Sequence, residues 1–235
     1  MIAMKTSLSR ADKPTATSTP DMVVNTINEG IMKRRYSVGQ RLVESDLTRD
    51  LKVSRGTVRE ALKTLSAEGV VKLTPHRGAF IRSLSRKEAN DLLVVLEVLC
   101  GVAARLAAEH IKQGDNQKRF KAAQQAIAGL RNGGGASGFA EERARFYQTM
   151  LIICGNAELE RIMPPAHIFM FRMQFQGLWS KKDIAAVFKE YQDIATAILT
   201  GDTKLAESHM RRHIRKTGER MSKLPESAFA VEEDH

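Results

Sequence analysis

The stretch Val53-Ser-Arg-Gly-Thr-Val-Arg-Glu-Ala-Leu62 decides the fold of the N-terminal third of this 235-residue chain. One face of the helix that it predicts is apolar at helical spacing and consists of Val58, Ala61, Leu62 and Leu65. A second face carries basic residues four apart, namely Arg55, Arg59 and Lys63. Ser54 precedes both faces and is of a type that caps helix N-termini. The stretch therefore predicts a helix that packs on one side and is cationic on another.

Two helices are predicted before this stretch and a hairpin after it. The first helix starts with Asp21, a good N-cap type, and the second follows the apolar series Leu42, Leu47 and Leu51. Beyond the stretch, residues 70–73 and 79–81 have the composition of short strands, joined by Thr74-Pro-His-Arg-Gly78. Three short helices followed by a basic-tipped hairpin constitute a winged helix-turn-helix.

In such modules the N-terminal turn of the third helix reaches base edges in the major groove of DNA. The predicted DNA contacts on this helix are Ser54, Arg55, Gly56, Thr57, Arg59 and Lys63, and those on the wing are His76, Arg77 and Gly78. Two alternatives stay open at this point. Arg59 could pair with Glu44 or Glu60 at the surface, and the wing could be an ordinary hairpin tip.

The net charge favours a polyanionic partner for this module. Lysine and arginine total 37 against 27 acidic residues, a formal charge of +10. Residues 1–83 hold 15 basic and 8 acidic residues, an excess of seven, whereas the remainder holds 22 and 19, an excess of three. Most of the positive excess therefore lies in the predicted DNA-binding module.

The rest of the chain is predicted to be helical almost throughout. Ser85-Arg-Lys-Glu88 is a capping box that starts a long helix, and Asp202 is a candidate cap for the last one. Further helices are predicted at about 115–130, 139–154, 156–163, 166–179, 183–200 and 202–222, with a flexible loop at 131–138. The predicted fold class is mainly α, with a winged helix-turn-helix followed by an all-α antiparallel helical bundle. The predicted organisation is a flexible tail over 1–20, a DNA-binding domain over 21–83, a helical domain over 84–222 and a flexible tail over 223–235.

The quoted stretch, together with Gly39-Gln-Arg-Leu42, Leu65-Ser-Ala-Glu-Gly-Val70 and His76-Arg-Gly-Ala-Phe80, resembles the DNA-binding module of GntR-family bacterial transcription regulators. Blocks in the helical domain, such as Ala103–Ala108 and Cys154–Leu159, resemble the FCD effector-binding domain of the FadR subfamily. The resemblance implies a homodimer on a near-palindromic operator in double-stranded DNA. It also implies a small metabolite, bound by residues 84–222, that alters DNA affinity, and we expect a repressor.

One departure from the family lies in the DNA-binding module. Val43-Glu44-Ser45 stands where the family commonly has Ser-Glu-Arg, so we expect a different operator preference.

A larger departure concerns metal binding. Many members of the subfamily hold a divalent metal through an Asp and a His four residues apart and two later His. The resemblance places Arg143, Tyr147, Tyr191 and His213 at these positions. Arginine has only donors and a phenol is a poor ligand at neutral pH, so we expect no bound metal and no cofactor.

The same four residues suit a carboxylate, because a guanidinium can bind it in bidentate fashion while the other groups orient it. We therefore predict a small anionic effector at Arg143, Tyr147, Tyr191 and His213. The alternative is that the two tyrosines fill the vacated cavity and that the ligand site lies elsewhere or is lost.

Other classes of protein are disfavoured. The sequence shows no nucleophile elbow, phosphate loop or carboxylate–histidine metal set, so we do not expect an enzyme. The two cysteines lack Cys or His neighbours at ligand spacing, and no long apolar run suggests export or a membrane span, so a cytoplasmic protein is expected. A nonspecific DNA binder with a vestigial sensor domain remains the rival hypothesis.

Overall fold

The computed structural model describes residues 18–33, 35–130, 135–163 and 174–231. The helices of this part of the chain are α1 (Thr19–Met32), α2 (Glu44–Leu51), α3 (Arg55–Ala67), α4 (Arg86–His110), α5 (Asn116–Gly129), α6 (Gly135–Cys154), α7 (Ala157–Ile162), α8 (Lys181–Thr200) and α9 (Thr203–Met221). The strands are β1 (Arg41–Leu42), β2 (Val71–Thr74) and β3 (Gly78–Ile81). The predicted fold class, a winged helix-turn-helix followed by a helical bundle, is confirmed.

The N-terminal module is built around α3. Its apolar face, with Val58 and Leu62, is buried against Ile27 and Ile31 of α1 in one hydrophobic cluster. Ser54 caps α3 as predicted, because its side chain accepts from the N–H of Thr57. The apolar period of the quoted stretch is therefore the packing face of the module.

The start of α1 differs from the prediction. Ser18, not Asp21, is the N-cap, and Asp21 occupies the third helical position, where it completes a capping box with Ser18. Pro20 lies in the first turn, where its missing N–H costs no helical hydrogen bond. The predicted tail over 1–20 thus extends too far by three residues, and residues 1–17 lie outside the described part.

The sheet has a strand that the sequence pattern did not predict. β3 lies between β1 and β2 and is antiparallel to both, with Arg41 opposite Phe80 and Thr74 opposite Gly78. Leu42, which was predicted to belong to the second helix, is a buried residue of β1 instead. A two-residue strand has no period of its own, since its hydrogen bonds depend on the distant β3.

The helical domain is organised around α4, which packs against α6, α8 and α9. Small buried residues, Ala103, Ala104, Ala107 and Ala108, let the neighbouring helices approach. The predicted caps are confirmed: Ser85 and Glu88 form a capping box at α4, and Asp202 accepts from the N–H of Leu205 at α9. Along the chain, Ile81 is the last residue of the N-terminal hydrophobic cluster and Leu84 the first of the other, and Ala144 of α6 packs against the N-terminal one.

Two segments predicted to be flexible are ordered. Residues 135–138 of the predicted loop belong to α6, whereas 131–134 lie outside the described residues, as does most of the predicted helix 166–179. In the predicted C-terminal tail, Phe229 is buried against Phe175, and the N–H of Ala230 donates to the carbonyl of Leu84 over 3.0 Å. The tail prediction is therefore wrong up to residue 231, because one aromatic side chain packs into the bundle.

No helix among the described residues is both long and apolar enough to cross a membrane.

Candidate functional site: a nucleic-acid interface and a buried basic cluster

The first turn of α3 presents the predicted DNA-contacting residues to solvent. The hydroxyl groups of Ser54 and Thr57 lie 2.9 Å apart and both belong to the cap, so they hold the turn in place. Arg55 and Gly56 are exposed beside them, and Lys63 is exposed two turns further along. A helix N-terminus that carries basic side chains suits phosphate and base edges.

Arg59 has a protein partner in this structure. Its Nε donates to Oε2 of Glu44, the first residue of α2, over 2.9 Å. The alternative of a surface pair with Glu44 is thus realised in the free protein, whereas Glu60 is not the partner in that ion pair. Both side chains are exposed, and exposed ion pairs are worth about 0–1 kcal/mol, so a nucleic acid can replace the carboxylate.

A cleft of about 330 Å³ lies beside Arg59, between α3, the start of α2 and the wing. Three guanidinium-bearing residues line it, Arg41, Arg55 and Arg59. Arg41 was not predicted as a site residue, although it lies in the Gly39–Leu42 block. Its side chain passes close to Gly78, whose Cβ, if present, would lie 3.5 Å from Nε of Arg41. β1 places it there, so the missed strand explains the missed residue.

The wing tip has a constrained backbone. His76 and Gly78 have φ values of 60° and 97°, in the left-handed region, and the N–H of Arg77 donates to the carbonyl of Thr74. His76, Arg77 and Gly78 are all exposed. The turn therefore presents an imidazole and a guanidinium to solvent on the side of the module where α3 begins.

The four predicted effector residues come together inside the helical domain. Arg143 and Tyr147 lie on α6, Tyr191 on α8 and His213 on α9, and their exposed fractions are 2%, 3%, 2% and 1%. Nε of Arg143 donates to the hydroxyl of Tyr191 over 2.9 Å, and the Tyr191 ring lies 4.9 Å from that of His213, centroid to centroid. Three helices that are far apart in the sequence thus contribute side chains to one buried cluster.

The guanidinium of Arg143 is surrounded by aromatic rings. Its Cζ lies 5.1 Å from the ring centroid of Phe139 and 5.4 Å from those of Trp179 and Tyr191. Such cation–π contacts stabilise a cation partly removed from water. A permanent positive charge is therefore held within the bundle.

Tyr147 belongs to the cluster in a different way. Its ring is edge-on to that of Tyr191 at 6.2 Å, and its hydroxyl points to the sulfur of Met210 over 3.8 Å. This placement fits the cavity-filling alternative for Tyr147 better than the prediction of a second phenolic donor beside Arg143.

Glu190 is a site residue that sequence reasoning missed. Its carboxylate accepts from Nδ1 of His213 over 2.7 Å and from both Nη atoms of Arg220, and Lys216 lies 3.6 Å away. Burial alone would raise the pKa of Glu190, but the hydrogen bonds from His213 and Arg220 outweigh it and lower the pKa to about 2. Glu190 is thus ionised at neutral pH, so Nδ1 of His213 carries a proton and only Nε2 faces other groups.

A signal for Glu190 and Arg220 was present in the sequence. Each lies on the apolar stripe of its helix, Glu190 between Val187 and Ile194, and Arg220 after Thr217. A charged residue at a buried periodic position needs a buried partner.

The donor set at the cluster does not fit a divalent metal. Arginine cannot donate a lone pair, and His213 already gives one ring nitrogen to Glu190. Among the residues that the structure describes, no group of three or more His, Cys, Asp or Glu side chains could hold a metal ion.

A cavity of about 700 Å³ opens between α5 and α8 and reaches this cluster. Its wall includes the rings of Phe146 and Tyr191, and its polar lining includes Gln124, Lys189, Gln192 and Thr196. Tyr191 therefore faces the cavity as well as Arg143.

Two known protein families match the same two modules of the chain. Residues 19–81 match the family described as bacterial regulatory proteins, gntR family, and residues 91–216 match the FCD domain. A protein of Paenarthrobacter nicotinovorans, named "Probable D-xylose utilization operon transcriptional repressor", is 25% identical over 199 residues, 85% of each chain. The Escherichia coli repressor GlaR is 22% identical over 200 residues, which is 80% of this chain and 89% of GlaR.

Solved structures share the fold. E. coli McbR/YncC superposes with a TM-score of 0.73 at 13% identity, over 88% of this chain and 99% of that one. A GntR regulator of Rhodococcus sp. RHA1 gives a TM-score of 0.71 at 19% identity, over 86% and 97%.

Proposed function

The chain belongs to the gntR family of bacterial regulatory proteins with an FCD domain, and we propose that a small anionic metabolite, bound without metal, controls its affinity for DNA. It is a ligand-responsive DNA-binding transcriptional regulator and not an enzyme. The finer elements of the proposal are a homodimer, a near-palindromic operator, a repressor and a cytoplasmic location.

The proposed operator contacts come from α3 and the wing. Arg55, Gly56 and Arg59 read base edges, Ser54 and Thr57 hold the helix start, and Lys63 contacts phosphate. His76, Arg77 and Gly78 follow the neighbouring groove. Arg41, which shares the cleft with Arg55 and Arg59, is added to this set.

The observation that supports an anionic effector is the positive charge held in the buried cluster. Arg143 and Arg220 are the buried guanidinium groups among the described residues, and Arg220 is paired with Glu190 and, over 3.7 Å, with Asp183. Glu190 is already engaged by Arg220 and His213. The guanidinium of Arg143 offers a permanent positive charge inside the bundle, and a carboxylate or phosphate beside it would be stabilised by that charge in a low-dielectric interior.

The absence of metal follows from the donor set and not from any missing atom. In the proposed site the guanidinium of Arg143 supplies the positive charge, and the hydroxyl of Tyr191, which accepts from Arg143, can turn its own proton towards an anion. Tyr147 and His213 border the site, and Tyr147 contributes shape more than hydrogen bonding.

The test is a binding screen on the full chain. Mono- and dicarboxylates, hydroxy acids, sugar acids and sugar phosphates are screened by thermal shift with and without EDTA, and hits are titrated by calorimetry and in operator-binding assays. We expect a hit that changes operator affinity equally with and without chelator. A response that EDTA abolishes and Zn²⁺ or Mn²⁺ restores would contradict the metal-free site.

The matched variants are Arg143→Gln and Arg145→Gln. Arg145 lies on the same helix but is exposed, so its loss should leave the response unchanged. Arg143→Gln should weaken the hit at least about tenfold, because a buried charge-assisted hydrogen bond is lost, while operator binding without ligand is kept. An unchanged response of Arg143→Gln would remove Arg143 from the site.

A further inference from the structure

Trp179 is a buried residue whose polar atom has no hydrogen-bond partner among the described residues. The residue is 9% exposed, and no acceptor in the part of the chain that the structure describes lies within hydrogen-bond distance of its indole Nε1. An indole N–H can only donate. A donor that is buried without an acceptor costs free energy, and a buried tryptophan usually has one. Nε1 of Trp179 is therefore a candidate for an acceptor that a ligand supplies.

The backbone after Trp179 holds the indole in place. Trp179 precedes Ser180, the N-cap of α8, whose side chain accepts from the N–H of Asp183 over 3.1 Å. The carboxylate of Asp183 accepts in turn from the N–H of Ser180 and lies 3.7 Å from Nε of Arg220. A capping box fixed in this way restricts the residue before it, so the indole is positioned without a hydrogen bond of its own.

The indole lies against the guanidinium of Arg143. Its ring centroid is 5.4 Å from Cζ of Arg143, within the range of a cation–π contact. Nε of Arg143 donates to the hydroxyl of Tyr191, so the three side chains form one group. An anion that accepts from Nε1 of Trp179 would lie close to a permanent positive charge, and charge-assisted hydrogen bonds are stronger than neutral ones.

The polar atoms that meet in this group are donors. Arg143 and Trp179 carry no acceptor, and the hydroxyl of Tyr191 accepts from Arg143, which leaves its own proton to donate. Glu190, the buried carboxylate of the cluster, already accepts from His213 and Arg220. A ligand must therefore offer acceptors to this group, whereas an ammonium group placed here would meet a guanidinium and be repelled.

We propose that Nε1 of Trp179 donates to the acid bound at Arg143, and that this donor-only group selects 2-oxo acids over the 2-amino acids of the same carbon skeleton. The inference rests on the anionic effector of the proposed function and adds a recognition residue and a chemical class to it. A 2-oxo acid presents a carboxylate to the guanidinium and a neighbouring carbonyl oxygen to the indole N–H or the phenol. A 2-hydroxy acid can also accept, and its affinity is expected to lie between those of the other two.

Tryptophan fluorescence tests the class of ligand. Trp179 is the single tryptophan of the 235-residue chain, so tryptophan emission reports on this position alone. The full-length chain is titrated with 2-oxo, 2-hydroxy and 2-amino acids in three series, whose side chains are small, acidic and aromatic. The series are pyruvate, lactate and alanine, then 2-oxoglutarate, 2-hydroxyglutarate and glutamate, then phenylpyruvate, phenyllactate and phenylalanine. Free N-acetyltryptophanamide corrects for absorption and collisional quenching.

We expect a saturable change in emission with the 2-oxo acid of at least one series. Its affinity should exceed that of the matching 2-amino acid at least about tenfold, because the amino acid brings an ammonium group to a site of donors. Equal affinity for the matched oxo and amino acids would overturn the proposal, as would the absence of saturable binding by all of the acids.

A conservative variant tests the role of the indole N–H. Trp179→Phe keeps an aromatic ring beside Arg143 and removes the N–H. Calorimetry should show the affinity for the bound 2-oxo acid falling about tenfold or more, since a hydrogen bond to a charged group is lost. The urea midpoint of the ligand-free chain should stay the same or rise, because a buried donor without an acceptor is removed. A packing role alone would have the opposite signature, with lower stability and unchanged affinity.

The matched control is Tyr36→Phe, which removes a polar atom from an aromatic residue of the DNA-binding module. Tyr36 packs against the N-terminal hydrophobic cluster, so its variant should leave the affinity for the acid unchanged. Equal losses of affinity in Tyr36→Phe and Trp179→Phe would contradict a specific contact from the indole.

Arg143→Gln separates this inference from the proposed function. When both residues contact one ligand, the double variant R143Q/W179F should lose less affinity than the two single losses predict together. If Arg143→Gln weakens binding of the acid and Trp179→Phe does not, the role of Trp179 is overturned and the anionic effector at Arg143 stands. If neither variant weakens binding, both proposals are wrong.

Discussion

Nε of Arg59 on α3 lies 2.9 Å from Oε2 of Glu44 on α2, so the reading helix is tied to its neighbour at the residue expected to meet a base. A base contacted by Arg59 would have to replace this carboxylate. Guanine O6 and N7 offer two acceptors in the bidentate geometry that arginine prefers, and the exposed pair with Glu44 is weak.

Replacing Arg59 by alanine tests whether it reads a base. We expect operator affinity to fall by about 1–3 kcal/mol, with relaxed discrimination at one operator position and little change in folding stability. Fluorescence anisotropy with the operator and its single-base variants, at fixed salt, measures this, with Lys118→Ala as control. A loss that is equal on all sequences would make Arg59 a phosphate contact only.

The buried carboxylate of Glu190 makes stability depend on acid pH. Its pKa in the folded chain is about 2, below the ordinary 4.5, so its stabilising contribution is present above pH 4.5 and is lost as the pH falls towards 2. Glu190→Gln should lower the free energy of unfolding at pH 7 by an amount of the order of 3 kcal/mol. Urea unfolding at pH 7, 5, 4 and 3 should show this difference shrinking with acid.

The control for Glu190 is Glu158→Gln, which removes an exposed carboxylate paired with Arg161. It should change stability by less than about 1 kcal/mol at every pH. A difference between Glu190→Gln and the unchanged chain that stays constant from pH 7 to pH 3 would contradict the assigned charge network.

Two glycine-to-alanine changes should affect folding stability in opposite directions. At Gly30 in α1 a Cβ would lie 2.6 Å from Cδ2 of Tyr36, so the ring must shift, and we expect a loss of about 1–3 kcal/mol. At Gly129, the last residue of α5, a Cβ meets nothing within 4 Å, and alanine should gain up to about 1 kcal/mol. Thermal unfolding of both variants measures the pair, and a stabilised Gly30→Ala would show that Tyr36 does not hold its place.

The C-terminal segment is predicted to stabilise the start of α4. The ring of Phe229 lies 4.1 Å from Cζ of Arg86 and packs on Phe175. Phe229→Ala should cost about 2–4 kcal/mol, whereas Val231→Ala, at an 89% exposed residue, should have no measurable effect. Chemical denaturation compares them, and equal stabilities would show that the segment is only loosely attached.

The sequence predicted the parts of the fold that repeat locally. The stripe of α3, the capping box at Ser85 and the cap at Asp202 depend on residues within one or two turns, so their pattern is visible without a structure. The start of α1 was misplaced because Ser18 and Asp21 are both capping types, and the box places the cap at the earlier one.

The parts that were missed depend on distant partners. β1 depends on its pairing with β3, and Phe229 is held in place by its contacts with Phe175 and Arg86. The four residues predicted to bind an effector do lie together, and effector binding there stays a prediction, but their contacts within the cluster were not predicted. The hydroxyl of Tyr147 points to the sulfur of Met210, and the carboxylate of Glu190 accepts from His213. These contacts depend on how the helices pack, which residue spacing alone does not predict.

Helix α4, 25 residues long, begins at the end of the DNA-binding module and runs into the helical bundle, so it acts as a lever between the two. Val98, near its middle, lies about 20 Å along the helix from Ser85, and a tilt of about 10° about that point displaces Ser85 by about 3.5 Å. One base-pair step along DNA is about 3.4 Å. A tilt of α4 that small would therefore be enough to shift the attached DNA-binding module by one base pair.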